Sequence, residues 1–252
     1  MCRHLAYLGP PVPLSRLLLE APHALVHQAA APRDMRGGGT VNADGFGVGW
    51  FPEPVGVPLR YRRDRPLWAD AQLPPWAAAT TAPALLAAVR SATPGMPLLE
   101  TACAPFAGDG ALFSLNGRIA GWPDSVAGLA GRLPVTELLT MEAPTDSVLL
   151  WALVRQRLAG GAEPAEAVAA TVTEVAATAP GSRLNLLLTD GNTIVASAVT
   201  HALSVWTGGD SVVVSSEPLD DDPAWRPVPD GSLVVATPTA VKISPLPEEG
   251  TP

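Results

Sequence analysis

Cys2 is the residue whose position points most directly to chemistry, because it follows the initiator Met1. Methionine is normally trimmed when a small residue follows it, and the remaining cysteine would carry both a thiol and a free α-amino group. Such an amine has an ordinary pKa of about 7.7 to 8.0, so at pH 7 part of it is neutral and can accept the thiol proton. Cys2 could therefore be nucleophile and general base at once. The alternative is an incidental or buried N-terminal cysteine.

Glycines occupy alternate positions in the segment Asn42–Trp50, at Gly45, Gly47 and Gly49. Glycine inside a strand costs stability, so this spacing predicts a close approach by another backbone or a ligand. A glycine-rich strand end beside a bulge would give the same pattern. The segment is not a phosphate-binding loop, because no helix follows it.

An arginine and a threonine follow the apolar run that ends at residue 89, in the order Arg90, Ser91, Ala92, Thr93. A guanidinium can hold a carboxylate through two parallel hydrogen bonds, and a hydroxyl can add a third. The pair would suit a substrate carboxylate, although an ordinary surface arginine gives the same pattern.

Asn116 and Gly117 have two interpretations. Within Phe113–Ile119 they could form a tight turn between two strands. Alternatively, the Asn116 amide and the Gly117 N–H could form an oxyanion hole, where the loss of one donor typically costs about 10²–10³ in rate. Asp146 is similarly open: it could cap a helix or receive a substrate ammonium.

The elements that must position these residues are short strands, then two helices, then strands again. Before the helices, we expect strands at Cys2–Leu8, Phe46–Phe51, Leu59–Arg62, Leu85–Ser91 and Ala111–Asn116. The helices are expected at Asp146–Leu158 and Pro164–Ala179. Later strands are expected at Leu184–Thr189, Thr193–Val199, Leu203–Trp206, Val212–Ser215, Leu233–Ala236 and Val241–Ile243. Hairpin-like connections favour an α+β fold with antiparallel sheets covered by helices.

Composition excludes several classes of protein. The 252 residues are 47% hydrophobic, which is enough for a sizeable core. The 16 basic and 24 acidic residues give a net charge of −8 without a basic stripe, so no nucleic-acid partner is expected. No apolar run reaches about 18 residues, and no secretory h-region follows Met1, so we expect a cytoplasmic protein that does not bind membranes. Cys2 and Cys103 cannot form a metal site alone; we expect no metal and no cofactor, and an inert Cys103 thiol.

Taken together, these motifs resemble the class II glutamine amidotransferases, which are N-terminal-nucleophile hydrolases with a catalytic cysteine. The resemblance rests on the order and intervals of Cys2, Asn42–Trp50, Arg90 with Thr93, Asn116 with Gly117, and Thr145–Ser147. It implies a four-layer αββα fold with two antiparallel sheets between helical layers. It also implies one class II glutamine amidotransferase-type domain over residues 1–252.

The same resemblance implies a role for each site residue. Cys2 would attack a γ-glutamyl amide and form a glutamyl thioester, which water then hydrolyses. Asn116 and Gly117 match the oxyanion hole. Arg90 and Thr93 match the positions that hold the glutamyl α-carboxylate, and Asp146 matches the group that binds the α-ammonium.

A narrower resemblance extends over nearly the whole chain. Met1–Gly9, Ala31–Gly38, Asn42–Trp50 and Ser216–Asp220 are similar to the amidohydrolases of ergothioneine biosynthesis, which act on γ-glutamyl-hercynylcysteine S-oxide. This implies a small-molecule γ-glutamyl substrate and no obligatory synthase partner. Two alternatives stay open: a free-standing glutaminase that supplies ammonia to a partner synthase, and a catalytically inactive binding module that keeps the fold.

Overall fold

The structure is a computed structural model, and it describes residues 2–36, 41–53 and 56–247. Met1, whose removal the sequence predicts, lies outside the described residues, as do Gly37 and Gly38 of the Ala31–Gly38 motif. Within the described part of the chain, no helix has the length and apolar character needed to cross a membrane.

The β-strands contain more residues of the described chain than the helices do. They are β1 (Arg3–Pro13), β2 (Phe46–Phe51), β3 (Leu59–Arg63), β4 (Thr81–Val89), β5 (Phe106–Gly108), β6 (Ala111–Arg118), β7 (Arg183–Thr189), β8 (Ile194–Ala198), β9 (Ser204–Gly208), β10 (Ser211–Ser215), β11 (Arg226–Pro227), β12 (Ser232–Thr237) and β13 (Ala240–Pro245). The α-helices are α1 (Leu25–Ala30), α2 (Leu73–Ala79), α3 (Ala127–Ala130), α4 (Val135–Leu139), α5 (Asp146–Ala159) and α6 (Pro164–Thr178). A π-helical turn covers Arg16–Glu20.

The strands form two antiparallel sheets. One sheet has the order β11-β9-β10-β1-β4-β2-β3, and the other has the order β13-β12-β8-β7-β6-β5. In the first sheet β1 is central, pairing Leu5 with Ser215 of β10 and Arg3 with Val89 of β4.

Three apolar clusters separate the layers. The first contains β6 and β7 residues such as Phe113 and Leu186 together with α5 and α6. The second covers the other face of the β1 sheet with α1, α2 and the π-helical turn. The third lies between the sheets and includes Ala6 of β1 and Leu112 of β6. These clusters give the layer order αββα, so the predicted four-layer α+β fold is confirmed.

Two sequence-based expectations need correction. The strand expected at Leu85–Ser91 runs from Thr81 to Val89, because Thr81 and Ala82 already pair with β1, and Arg90 therefore lies just past its end. The tight turn considered for Asn116 and Gly117 is wrong. Both residues lie inside β6 and pair with Asn185 and Leu184 of β7.

Candidate active site

The inner face of the sandwich changes from apolar to polar at one end. Ala6 of β1 and Leu112 of β6 point into the space between the sheets. Because side chains alternate along a strand, His4 points to the same side as Ala6, and Ser114 and Asn116 point to the same side as Leu112. His4 Nδ1 lies 2.7 Å from Ser114 Oγ. This polar end lies beside Cys2, the residue that directly precedes β1.

Cys2 is half-buried, and its Sγ lies 3.8 Å from the carbonyl oxygen of Ser91. The antiparallel pairing of β1 with β4 brings the end of β4 to the start of β1, so the Arg90–Thr93 segment begins next to Cys2. Asp44 holds this segment, because its Oδ2 accepts a 2.8 Å hydrogen bond from the N–H of Ala92.

Gly45, which precedes β2, and Gly47 and Gly49 within it allow other parts of the chain to pack closely against this strand. A Cβ at Gly45 would lie 2.3 Å from Cys103 Sγ, and one at Gly47 would lie 2.4 Å from the carbonyl oxygen of Ala104. A Cβ at Gly49 would lie 2.7 Å from both δ-methyl groups of Leu112. The close approach inferred from the glycine spacing is therefore made by protein atoms.

The Asn116 side chain reaches toward β1 through Ser216. Its Nδ2 lies 3.4 Å from Ser216 Oγ, which also accepts a 3.0 Å hydrogen bond from the backbone N–H of His4. The Nδ2 contact is long for a hydrogen bond, so this donor is only weakly engaged. Asn116 is 1% exposed, and its Oδ1 has no hydrogen-bond partner among the described residues.

Gly117 directs its N–H away from β7. Its register partner, Leu184, donates its N–H to Val199 O and accepts at its carbonyl from Ser197 Oγ, so Leu184 bonds toward β8. In an antiparallel ladder, two residues that face each other either both bond to each other or both point away from each other, so the N–H and carbonyl of Gly117 also point away from β7. The other neighbour, β5, pairs only with Ala111 to Phe113 of β6. The Gly117 N–H is therefore not consumed by β7, as an oxyanion donor requires.

Asp146 is the first residue of α5, but it does not cap that helix. Thr145 is the cap, since its Oγ1 accepts a 3.3 Å bond from the N–H of Val148. Asp146 Oδ2 instead accepts a 3.0 Å bond from the N–H of Ile119, just past β6. Burial raises the pKa of Asp146, and the hydrogen bonds from Ile119 and Ser147 and the charge of Arg90 oppose this increase only in part.

A cavity of about 460 Å³ joins two of the predicted substrate-binding residues. Thr93 and Asp146 both line it, together with Met96 and Trp122. Arg90 is close enough for its charge to act on Asp146, but its Nη1 donates a 2.9 Å bond to the carbonyl oxygen of Pro97. A carboxylate bound by Arg90 would have to share or replace this bond.

Sequence reasoning assigned no role to a buried ionic cluster beside Cys2. Arg3 and Glu217 are each 2% exposed, and Arg3 Nε lies 2.8 Å from Glu217 Oε1. The other nitrogens of Arg3 donate to the carbonyl oxygens of Cys2, at 3.0 Å, and Asp34. His23 Nε2 lies 2.6 Å from Glu217 Oε2. The sequence did contain a signal for this cluster. Arg3 alternates with Leu5 and Tyr7, so its side chain lies on the helix-facing side of β1, and a charge buried there needs a partner of opposite charge.

Burial by itself would raise the pKa of Glu217. The hydrogen bond from His23, those from the N–H groups of Arg33 and Asp34, and the charge of Arg3 outweigh this effect, so the pKa lies below its usual range. Glu217 is therefore a carboxylate held by four donors.

The remaining thiol and two histidines are poor candidates for proton transfer at pH 7. Burial raises the pKa of Cys103 to about 11, and its Sγ contacts the carbonyl oxygens of Arg63 and Leu99. Burial also lowers the pKa of His4 to about 3 and that of His201 to about 4. Among the described residues, no group of three or more His, Cys, Asp or Glu side chains is arranged to hold a metal ion.

Cys2, the Arg90–Thr93 segment, Asn116, Gly117 and Asp146 thus lie around one end of the sandwich. This arrangement suits attack by a thiol on the carbonyl group of a substrate that also carries charged groups. The roles predicted for the individual residues stay predictions.

The fold is shared with a solved structure described as a glutamine aminotransferase class-II domain protein from Silicibacter pomeroyi. The TM-score is 0.68 at 21% identity, and the match covers 97% of this chain and 99% of that one. The chain therefore has the fold of the class II glutamine amidotransferase domains, the class that its sequence motifs resemble.

Curated relatives identify the family within this class. The chain is 40% identical, over 98% of its length and 100% of the relative, to the γ-glutamyl-hercynylcysteine sulfoxide hydrolase of Mycolicibacterium smegmatis. It is 37% identical, over 98% of its length and 97% of the relative, to the protein of the same name from Mycobacterium tuberculosis. The chain belongs to the γ-glutamyl-hercynylcysteine sulfoxide hydrolase family. No family sequence model matches it.

Proposed function

We propose that this protein hydrolyses the γ-glutamyl amide bond of γ-glutamyl-hercynylcysteine sulfoxide and releases glutamate and hercynylcysteine sulfoxide, in ergothioneine biosynthesis. The observation that carries the proposal is the 40% identity to a hydrolase of that name, which extends over the full length of the relative. We further propose that residues 1–252 act as one domain in the cytoplasm, without an obligatory synthase partner, nucleic acid, membrane or cofactor.

In the proposed reaction, removal of Met1 frees the α-amino group of Cys2. This amine takes the thiol proton, and the sulfur attacks the γ-carbonyl carbon, forming a C–S bond and a tetrahedral oxyanion. Asn116 Nδ2 and the Gly117 N–H stabilise that oxyanion; the weak engagement of the first and the direction of the second support the assignment. The amine then protonates the leaving nitrogen as the C–N bond breaks. Water hydrolyses the thioester to glutamate and restores the thiol.

Substrate recognition requires groups for the two charges of the glutamyl α-carbon. Asp146, buried and facing the cavity that Thr93 also lines, is suited to an ammonium. Arg90 and Thr93 would bind the α-carboxylate. The proximity of Arg90 to Asp146, reflected in the effect of the guanidinium on the Asp146 pKa, fits a substrate whose opposite charges lie on one carbon.

Steady-state kinetics with two substrates test the proposal. We expect kcat/KM for γ-glutamyl-hercynylcysteine sulfoxide to exceed that for glutamine. If glutamine is hydrolysed equally well or better, the glutaminase alternative replaces the proposal. Trapped acyl-enzyme should carry only a glutamyl mass on Cys2 with either substrate.

Intact mass tests the inactive-module alternative. We expect the purified protein to lack Met1. A retained Met1 together with absent turnover would leave Cys2 without its free amine and favour a binding module.

A further inference from the structure

An N-terminal nucleophile has a positioning problem. Once Met1 is removed, no residue precedes Cys2, and terminal residues are poorly ordered unless something holds them. Cys2 also lies outside the ladder, since β1 begins at Arg3. Its thiol lies 3.8 Å from Ser91 O, which is a long contact. The carbonyl of Cys2 is therefore the natural place for an anchor.

Arg3 provides a contact there. Its Nη1 donates a 3.0 Å hydrogen bond to the carbonyl oxygen of Cys2, while Nε and Nη2 bond to Glu217 and to the carbonyl of Asp34. A guanidinium is planar, so fixing two of its nitrogens also fixes the direction of the third. The bond to Cys2 thus holds the peptide plane that sets where the amine and thiol of Cys2 point.

Glu217 determines the place of that guanidinium. Its two oxygens accept bonds from Arg3 Nε at 2.8 Å, His23 Nε2 at 2.6 Å, Arg33 N at 2.9 Å and Asp34 N at 3.2 Å. The Glu217 side chain therefore joins the start of β1 to the segment that follows α1. Stability alone is a weak reason for such a pair, because buried ion pairs can often be replaced by apolar residues without loss.

We infer that Arg3, held in place by Glu217, is a positioning residue that fixes the backbone of Cys2 for attack on the substrate carbonyl. The expected effect on kcat rests on the proposed function, whereas the expected change in the position of the Cys2 backbone does not. Neither side chain reacts with substrate; both act through Cys2.

The kinetic test uses Arg3→Lys and Glu217→Gln. Lysine keeps the charge, but its single nitrogen cannot occupy the three positions from which the planar guanidinium donates, and glutamine presents an NH₂ group to donors. Because Arg90, Thr93 and Asp146 still bind the substrate, we expect KM to stay within about threefold. A misplacement of about 1 Å can cost about 10²-fold in rate, so kcat should fall roughly 10- to 100-fold. The double variant should be no worse than the more affected single variant, because both changes break one contact.

Glu174→Gln is the matched control. Like Glu217, the Glu174 carboxylate pairs with arginine, here with Arg132 and Arg157, but it lies on α6 and away from Cys2. We expect its kcat to stay at the wild-type value.

A spectroscopic measurement separates this inference from the proposed function. The chain has two cysteines, so labelling cysteine with ¹³C at the carbonyl gives one signal for Cys2 and one for Cys103. Loss of the Arg3 bond should move the Cys2 signal upfield and broaden it, while the Cys103 signal stays in place. This result does not need a substrate, and it would support the inference even if wild-type protein failed to hydrolyse the proposed one.

Three results would overturn the inference. One is an unmoved Cys2 signal in folded Arg3→Lys protein. Another is kcat within twofold of wild type in both single variants. The third is failure of both variants to fold, because a purely structural role would then account for the cluster.

Discussion

Replacing Gly117 by alanine should disrupt both the pairing of β6 with β7 and the proposed oxyanion hole. A Cβ at this position would lie 1.9 Å from the carbonyl oxygen of Arg183 and 2.6 Å from its carbon. Contacts below 3.0 Å are essentially never made by real Cβ atoms, so the two strands would have to separate by about 1 Å. The obstacle is backbone, which cannot rotate away as the end of a side chain could.

The expected cost follows from this overlap. Overpacking that shifts backbone typically costs about 1–3 kcal/mol, and the severity of this contact places it at roughly 2–3 kcal/mol. For a chain of this size, each kcal/mol lowers the Tm by about 2–4 °C, so the fall should be roughly 4–12 °C. A shift of about 1 Å in the Gly117 N–H should also lower kcat about 10²–10³-fold.

Differential scanning calorimetry and steady-state glutamate release measure the two effects. Gly161→Ala is the control: Gly161 has φ +89°, and an added Cβ there would meet nothing within 4 Å. That variant should lose only about 1–2 kcal/mol for its backbone conformation and keep its kcat. An unchanged Tm in Gly117→Ala would refute the packing argument, and a lowered Tm with normal kcat would refute the oxyanion role.

Three further predictions concern the thiols, the substrate contacts and pH. Cys2→Ala should abolish glutamate release without unfolding, whereas Cys103→Ala should keep near-normal turnover; activity above about a tenth of wild type in the first would exclude Cys2 as the nucleophile. Arg90→Ala should mainly raise KM and Asn116→Ala should mainly lower kcat, so a change in KM alone for both would remove the oxyanion role of Asn116. The folded-state pKa of His4 is lowered to about 3 from 6.5, so the unfolded state binds the proton first and stability falls as pH drops below 6.5 toward 3. Between pH 7.5 and 5, urea unfolding should show about 2 kcal/mol more loss in wild type than in His4→Asn, and equal losses would contradict the buried neutral histidine.

Local patterns predicted the elements that carry strong periodicity. Both long helices were found within one residue of their expected bounds, and β2 was found with the expected bounds. The helix α2 was not predicted, because a helix of seven residues that are mostly alanine and proline shows little amphipathic periodicity. Thr80, Thr81 and Pro83 mark the change to β4, but a break of this kind does not show whether a helix or a loop precedes it.

Pairings between distant residues could not be obtained in this way. Asn116 and Gly117 form a sequence typical of a turn, and only the pairing with Asn185 and Leu184 keeps them in a strand. The bond from Arg3 to Glu217 spans 214 residues. Local sequence preferences do not predict either contact. An arginine on an apolar strand face does predict that an acidic side chain pairs with it, but not which one.

The topology explains why these distant segments meet at Cys2. Because β1 is central and antiparallel to both β4 and β10, the ends of both neighbours lie at the start of β1. The Arg90–Thr93 segment continues from β4, and Ser216 and Glu217 continue from β10. Register then decides which side chain faces which layer. A slip of one residue would turn Cys2 toward the helical layer and Arg3 toward the site, so the register of the sheet decides that Cys2, the proposed nucleophile, faces the site.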